Sequence, residues 1–355
     1  MLLLQGFNWI SHKSGSHYSK LKGNVERMKH MGINKVWLPP PSKSHDPEGY
    51  NPMEYYDFNS EYGTENELRD LIKYANDNSI GCIADIVCWS CFEDYCRPHY
   101  DFSKRQRKVD DPMLFQEFEN YCKYLVQDLQ FSGFRFDYIK AEPAKSLAIH
   151  IANSGYFDDK FIVGELWDSM NYNESYLEYD QNKHRKDIVN YIDKCQGRIH
   201  MFDFTTKGIL QEALAKNEYW RLQDHENKAP GVAGWWSEKA ITFLDNHDTL
   251  GQFHWPFSHE GNDIMAGYIY LFTHPGNPCI YCDHFDNYYD ALLELSQLRE
   301  KIDPKTVKIL IANNYCYFSM INEKYYVLIG GSYHVPNAHM VYQYGRARIY
   351  ESNLI

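Results

Sequence analysis

The chain has 355 residues, with an ordinary apolar fraction of 44% and charged fraction of 24%, which excludes a disordered or a fibrous protein. Its 48 acidic against 36 basic residues give a net charge of −12, and phosphate backbones or anionic lipids would repel such a chain. We therefore expect no nucleic-acid partner and no membrane surface. No run approaches the roughly 18 apolar residues of a membrane span.

The nine cysteines are an odd number spread along a long chain, which is not the pattern of a disulfide framework. The first residues lack the basic segment and the long apolar run of a secretory signal. We therefore expect a cytoplasmic protein, or a secreted one if a leader has been removed. We also expect a monomer.

Short apolar runs alternate with amphipathic stretches from the first residues to about residue 302. The runs predicted as strands are residues 2–7, 33–38, 82–87, 133–137, 161–165, 199–203, 241–244 and 278–281. The helical patterns between them include residues 18–31, 65–76, 112–129, 184–195 and 207–215. Eight strand–helix units in a row predict an α/β protein with a (β/α)₈ TIM barrel over residues 1–302.

The pattern changes after residue 302. Short strands are predicted at residues 307–312, 315–321, 325–329 and 346–350, with little helix between them. We expect a small antiparallel β domain over residues 303–355. Neither GxGxxG at a strand–helix turn nor GxxxxGK[ST] occurs, which removes the usual nucleotide-binding interpretations.

Three carboxylates stand at the carboxyl ends of three predicted barrel strands, where barrels place reactive groups: Asp137, Glu165 and Asp248. One alone would more often cap a helix, but three accompanied by Arg135 and His247 favour chemistry. Two carboxylates about 5 Å apart can hydrolyse a glycosidic bond with retention. Arg135 lies two residues before Asp137 on one strand, so both side chains share a face and the cation favours an ionised nucleophile.

The segments GFRFDYIK (133–140), VGELWD (163–168) and FLDNHD (243–248) resemble three of the four signature regions of the α-amylase family, glycoside hydrolase family 13. The resemblance is closest to the plant-type α-amylases. It continues in order along the barrel, through segments such as QGFNW (5–9), GYNP (49–52), FDFTTKG (202–208), GWW (234–236) and HPG (274–276).

The resemblance implies a retaining α-1,4-glucan hydrolase that cleaves starch-type glucans internally, with an α-glucan as its partner. It implies that Asp137 is the nucleophile, Glu165 the general acid/base and Asp248 the third carboxylate, which holds the sugar hydroxyls. It further implies substrate contacts from several side chains, of which the last two form a surface platform: Tyr50, Arg135, Lys140, His247, Trp235 and Trp236.

Two departures from the family pattern follow the third predicted strand. Trp89 stands where the family has a calcium-binding Asn, and Ser90 where it has a sugar-binding His. An indole offers no oxygen to a hard cation. The family's domain B is reduced to a short excursion at residues 88–111, between the third strand and the third helix. We therefore expect no required cofactor, and the family's calcium in particular is not expected.

The same excursion contains a C-x₂-C-x₄-C-x₂-H run formed by Cys88, Cys91, Cys96 and His99. These four side chains could bind zinc. The alternative is that Cys88 and Cys91 are packing residues and His99 faces solvent.

Two alternatives to the α-amylase interpretation remain open on the sequence. One is a transglycosylase, or an exo-acting maltooligosaccharide hydrolase, of the same family. The other is a catalytically weakened glucan-binding protein, suggested by Trp89, Ser90 and the short excursion. The complete set of catalytic residues speaks against the second, because a pure binding protein has no physical need of it.

Overall fold

The computed structural model describes residues 1–88, 112–253 and 255–353. Within these ranges the helices are α1 (His17–Gly23), α2 (Val25–His30), α3 (Glu65–Asp77), α4 (Pro112–Gln127), α5 (Ala144–Asn153), α6 (Asn182–Lys194), α7 (Phe204–Lys216), α8 (Gly261–Thr273), α9 (Cys282–Asn287) and α10 (Tyr289–Ile302). The strands are β1 (Leu3–Gln5), β2 (Lys35–Trp37), β3 (Lys43–Ser44), β4 (Pro52–Glu54), β5 (Gly81–Ile86), β6 (Gly133–Phe136), β7 (Phe161–Gly164), β8 (Tyr172–Asn173), β9 (Tyr176–Leu177), β10 (His200–Phe202), β11 (Ala240–Phe243), β12 (Asn277–Tyr281), β13 (Val307–Ala312), β14 (Cys316–Ile321), β15 (Tyr325–Gly330), β16 (Ala338–Tyr344) and β17 (Ala347–Ser352).

Eight parallel strands close into a barrel in the order β1, β2, β5, β6, β7, β10, β11 and β12, which confirms the predicted (β/α)₈ fold. The register of the central pairs is regular, with Ile83 opposite Gly133 and Phe134 opposite Ile162. Strands β6, β7 and β11 are buried at every position. Burial on both faces explains why the sequence shows continuous apolar runs here rather than alternation.

The C-terminal segment forms an antiparallel sheet in the order β13, β14, β15, β17 and β16, as predicted in kind. It has five strands where four were predicted. The additional strand β16 has an apolar run of only three residues, 340–342, and residues such as His339 and Met340 are exposed, so its strand signal in the sequence was weak. A small apolar cluster around Phe318 and Leu328 supports the sheet.

The helix predicted over residues 18–31 is two helices, α1 and α2. Gly23 and Asn24 interrupt it, because both have low helix propensity, and the N–H of Asn24 closes α1 on the carbonyls of Leu21 and Lys22. By contrast, α7 begins earlier than predicted. The Asp203 carboxylate caps it by accepting the N–H of Thr206 at 2.9 Å.

The described chain divides into two compact units, Met1–Trp167 with Ile192–Met201 and Asp168–Tyr191 with Phe202–Ile355. The short excursion predicted at residues 88–111 lies, apart from Cys88, outside the described residues. None of the helices described is long and apolar enough to cross a membrane.

Candidate active site

A buried arginine on β6 binds three carboxylates of the first unit. Nη1 of Arg135 lies 2.8 Å from Oδ1 of Asp85 and 2.7 Å from Oδ1 of Asp137. Nη2 lies 2.7 Å from Oε2 of Glu165. Arg135 is fully buried and none of the three acids is more than 6% exposed. The structure therefore brings the predicted nucleophile and the predicted acid/base onto one guanidinium.

Because β5, β6 and β7 are paired side by side, the Arg135 guanidinium and the three carboxylates lie at the same height in the barrel. Asp85 and Arg135 are register partners. Beyond the strand ends the parallel pattern continues, since the N–H of Asp137 donates to Ile86 O at 2.9 Å and that of Glu165 to Phe136 O at 3.0 Å. Both carboxylates are therefore fixed at the carboxyl ends of neighbouring strands.

Asp85 was not identified as a site residue from the sequence, although it stands in the third predicted strand as the other acids stand in theirs. Its Oδ2 accepts the hydroxyl of Tyr50 at 2.8 Å and Nε1 of Trp37 at 3.1 Å. Burial raises the pKa of Asp85 to about 6, against the opposing effect of Arg135. Asp85 thus ties the guanidinium to the predicted sugar-stacking tyrosine.

An aromatic pair lies beside these charges. The ring of Tyr50 stacks on Trp9, with centroids 6.0 Å apart and planes 8° from parallel. Gly49 supplies the turn before it at φ +93°, a conformation that side chains disfavour. Both rings are half-buried, and their apolar faces suit the apolar face of a sugar ring. Trp9 lay in a quoted motif but was not assigned to the site.

The backbone after Asp137 turns back toward Glu165. Tyr138 adopts a left-handed φ of +45°, and its N–H donates to Oε2 of Glu165 at 3.2 Å. Glu165 thus accepts from both a side chain and a main-chain donor. Lys140 is exposed, and its predicted contact with the sugar stays a prediction.

Asp248 and His247 follow β11 in the second unit, as predicted. Both are buried, with His247 Nε2 3.6 Å from Asp248 Oδ2. The N–H of Asp248 donates to Oδ1 of Asn246 at 3.0 Å, and that of Thr249 at 2.8 Å. Because the carboxyl ends of parallel barrel strands share one mouth, we expect this turn to act with Asp137. That convergence stays a prediction.

The turn around Asp248 has a support that sequence reasoning missed. Asp245 accepts the Thr249 hydroxyl at 2.8 Å and the N–H of Phe257 at 3.0 Å, so it ties both ends of the loop. Lys207, fully buried on α7, donates to the carbonyl of Trp255 at 2.7 Å. Its ammonium also lies 3.7 Å from the centroid of that indole ring.

Burial shifts the pKa values of both charged residues that support this loop, Lys207 and Asp245. The pKa of Lys207 falls to about 7, with Asp245 opposing the shift. The pKa of Asp245 rises to about 6, with Lys207 opposing that shift. A lysine in a helix gives no sequence signal of burial, and its partner Trp255 is remote in the chain.

The predicted tryptophan platform lies between two short turns, Val232–Gly234 and Ser237–Lys239, of the second unit. Trp235 is 39% exposed and Trp236 is half-buried. The guanidinium of Arg185 lies 3.6 Å from the centroid of Trp235 and bonds Asp224 at 2.6 Å. One face of Trp235 is therefore covered by Arg185.

Of the four zinc candidates, only Cys88 belongs to the described residues, where it is buried. Burial and the nearby carboxylates of Asp137 and Asp85 raise the pKa of its thiol well above the ordinary range. Cys91, Cys96 and His99 lie outside the described residues, as do Trp89 and Ser90. Within the described ranges, no three or more His, Cys, Asp or Glu side chains form a group that could hold a metal.

The chain is similar to α-amylases along most of its length. The family model described as "Alpha amylase, catalytic domain" matches residues 14–108. Probable alpha-amylase 2 of Arabidopsis thaliana is 35% identical over 376 aligned residues, covering 95% of this chain and 89% of that protein. Alpha-amylase 3, chloroplastic, of the same plant is 34% identical, covering 95% of this chain and 42% of that protein.

A solved structure agrees in fold. The crystal structure of an Anoxybacillus α-amylase superposes with a TM-score of 0.69, covering 98% of this chain and 95% of that one. The sequence identity is 15%, so this likeness supports the architecture alone.

The buried Lys207 predicts a specific pH dependence of stability. Its pKa is about 7 in the native state and about 10.4 when unfolded, so between these values the unfolded chain binds more protons. The contribution of Lys207 to stability should therefore rise with pH in this window, by about 2 kcal/mol between pH 7 and pH 9. Buried cysteines such as Cys82, whose pKa is raised to about 12, contribute in the opposite direction, so the effect of Lys207 is the difference in pH slope between the wild type and Lys207→Met. Urea unfolding of the wild type and Lys207→Met at both pH values measures it.

The Lys207→Met variant should lack this contribution, so its stability should change with pH less favourably than that of the wild type. Lys216→Met removes a lysine from the exposed end of the same helix and should keep it, which makes it the matched control. Equal pH slopes for the wild type and Lys207→Met would contradict the buried charge.

Proposed function

Because the chain belongs to the α-amylase family of glycoside hydrolases, we propose that it hydrolyses internal α-1,4 bonds of starch-type glucans with retention. The observation that carries the proposal is the shared guanidinium of Arg135, 2.7 Å from both Asp137 and Glu165. One guanidinium can bind two carboxylates through two nitrogens only when they are close. Retaining glycosidases need such a pair, about 5–5.5 Å apart.

In the first step, a carboxylate oxygen of Asp137 attacks the anomeric carbon, and the bond to the leaving oxygen breaks. Glu165 gives its proton to that oxygen, which departs as a free hydroxyl on the shortened chain. Arg135, whose Nη1 lies 2.7 Å from Oδ1 of Asp137, holds this carboxylate in place before the attack. The product of this step is a glycosyl ester on Asp137.

In the second step, Glu165 takes a proton from water, and the water oxygen attacks the anomeric carbon. The ester bond breaks, Asp137 returns as a carboxylate, and two inversions leave the α configuration unchanged. A sugar hydroxyl in place of water would give transglycosylation. Competition between water and a sugar acceptor for this ester therefore distinguishes a hydrolase from a transglycosylase.

The remaining site residues have proposed binding roles. Asp248 and His247 hold hydroxyls of the sugar at the cleavage point, and Tyr50 stacks on its apolar face. Lys140 contacts the leaving-side glucose. Trp235 and its neighbour Trp236 bind a glucan chain at the surface, away from the reacting bond.

We favour an active enzyme over a glucan-binding protein without activity. Burying Arg135 with three carboxylates costs desolvation energy, of the order of several kcal/mol per ion before their attraction offsets it. A binding surface for neutral glucans has no use for such a cluster. A hydrolase uses it to hold a nucleophile and an acid at one bond.

The direct test is incubation with soluble starch, followed by reducing-sugar release, product length and the anomer of the earliest product by proton NMR. We expect a mixture of maltooligosaccharides that appears first as the α anomer. A β anomer formed first would refute double displacement. A single short product from the outset would indicate exo-cleavage, and no release at all would favour a binding protein.

Substitution of the two reacting acids should separate their roles. Asp137→Asn cannot form the glycosyl ester and should lower kcat on every substrate by on the order of 10⁴-fold. The amide oxygen can still accept from Arg135, so the fold should persist. Glu165→Gln should block starch hydrolysis to a similar extent but spare the first step for aryl glucosides with acidic leaving groups.

The exposed Asp159 is the control, since Asp159→Asn removes a surface carboxylate remote from Arg135 and should leave kcat unchanged. If both active-site variants retained the same activity on starch and on aryl glucosides, the two assigned roles would be wrong.

We further propose that activity does not depend on calcium, since Trp89 has no oxygen ligand where the family binds the ion. A chelator should shift stability by far less than the roughly 3–4 kcal/mol that a tightly bound ion contributes. Thermal unfolding and starch hydrolysis with and without chelator measure this. A loss that calcium reverses would show that other oxygens bind the ion, whereas a loss that only zinc reverses would support the Cys88, Cys91, Cys96 and His99 site.

A further inference from the structure

A buried lysine of the second unit, Lys207, contacts the loop that carries Asp248 but has no role in the proposed reaction. Lys207 is fully buried on α7. Burying an ammonium costs free energy unless close partners replace the water that it loses. Apolar side chains of similar volume are often as stable at such positions, so stability alone does not explain a buried charge. The partners of Lys207 indicate what its charge is used for.

These partners suit a protonated amine. Nζ of Lys207 donates to the carbonyl oxygen of Trp255 at 2.7 Å and to Oε1 of Gln211. It also lies 3.7 Å from the centroid of the Trp255 indole, whose face is negative. An ammonium has three N–H donors and no lone pair, so it can serve two oxygens and the ring face. A neutral amine has two donors and a lone pair, which the ring face repels.

The backbone of Trp255 is bonded to the turn that contains Asp248. The N–H of Trp255 donates to the carbonyl of Thr249 at 2.8 Å. Two residues earlier, the N–H of Phe253 donates to the carbonyl of Asp248, also at 2.8 Å. The segment that holds the lysine's partner therefore also holds the main chain of the third carboxylate. Two hydrogen bonds that share Trp255 connect Lys207 with the residue next to Asp248.

Asp245 acts on both the loop and the lysine. Its carboxylate accepts the N–H of Phe257 at 3.0 Å, and its charge attracts the Lys207 ammonium, which opposes the effect of burial on the lysine pKa. Two histidines act on or approach Asp245. His284 on α9 lies 3.7 Å away, and burial lowers its pKa to about 4, so it is neutral; His259 is exposed. The charge of Lys207 therefore depends on its burial and on Asp245.

We propose that Lys207 is a positioning residue for Asp248: its ammonium holds Trp255, and Trp255 fixes the direction in which the Asp248 carboxylate points. This role rests on the proposed function, in which Asp248 binds hydroxyls of the sugar at the cleavage point. When Lys207 loses its proton, its attraction to the indole is lost and Asp248 is held less firmly. Because the pKa of Lys207 is about 7, this loss grows as the pH rises through neutrality.

The test is a double-mutant cycle on an aryl maltooligoside at pH 6, where Lys207 is largely protonated. Lys207→Met should lower kcat about tenfold and change KM less than about threefold, because the hydroxyl contacts of Asp248 strengthen in the transition state. The double variant with Asp248→Asn should be no slower than Asp248→Asn alone, because the lysine acts through the aspartate. Lys216→Met, at the exposed end of the same helix, should keep wild-type values.

A second variant keeps the lysine and changes its pKa. Gln211→Glu places a carboxylate against the Lys207 ammonium, which favours the charged amine, so the alkaline fall of kcat should move to higher pH by about one pH unit. Loss of the Glu165 proton also lowers kcat at high pH. In the Lys207→Met background, Gln211→Glu should therefore leave the pH profile unchanged, which separates the lysine from Glu165.

Two results would overturn this role: losses of kcat that multiply in the Lys207→Met/Asp248→Asn variant, or a pH profile that Gln211→Glu does not move. The lysine would then support the fold without acting through Asp248. If Lys207→Met does not fold, the profile of Gln211→Glu against the wild type decides. These results require a wild type that hydrolyses the substrate. An inactive wild type would refute the proposed function itself, so the two failures are distinguishable.

Discussion

The buried ion cluster of Arg135 is the constraint on which the site depends. One guanidinium faces three carboxylates, all of them removed from water, so the cluster has an excess of negative charge. Burial raises the pKa of Asp85 to about 6, so this carboxylate takes up a proton more readily than an exposed aspartate but is still largely ionised at neutral pH. The excess of negative charge favours a transient positive charge on a bound sugar, because preorganised charge acts strongly in a dry site. The cluster is therefore suited to an oxocarbenium-like transition state.

The spacing of the cluster depends on how closely two strands approach. A Cβ on Gly133 would lie 1.9 Å from the carbonyl oxygen of Phe161, so only glycine allows β6 to pair with β7 as it does. A Cβ on Gly164 would lie 2.5 Å from Cδ1 of Ile139. These two glycines bound the strands that end in Asp137 and Glu165. The close approach of β6 to β7 is thus fixed by backbone contact at Gly133, whereas the space at Gly164 is occupied by neighbouring side chains.

The parts of the fold that sequence could predict are those with local signals. Buried strands show as short apolar runs, and carboxylates at their ends are visible as motifs, which is why Asp137 and Glu165 were identified. Asp85 was missed because its importance lies in its partners Tyr50 and Trp37, which are distant in sequence. Lys207 was missed for the same reason, since a helical lysine is ordinarily solvated and only tertiary packing buries it.

The acids at the candidate site are held in place in two different ways, by a side-chain cation or through the main chain. Asp137 and Glu165 are held by side-chain contacts of 2.7 Å each to the guanidinium of Arg135. Asp248 is oriented through its main chain, by Asn246 and by a loop whose ends Asp245 joins. In the proposed reaction the first two acids form or break bonds, so their positions relative to each other matter. The third only binds hydroxyls, and for that role a fixed direction is sufficient, which is what a clamped backbone provides.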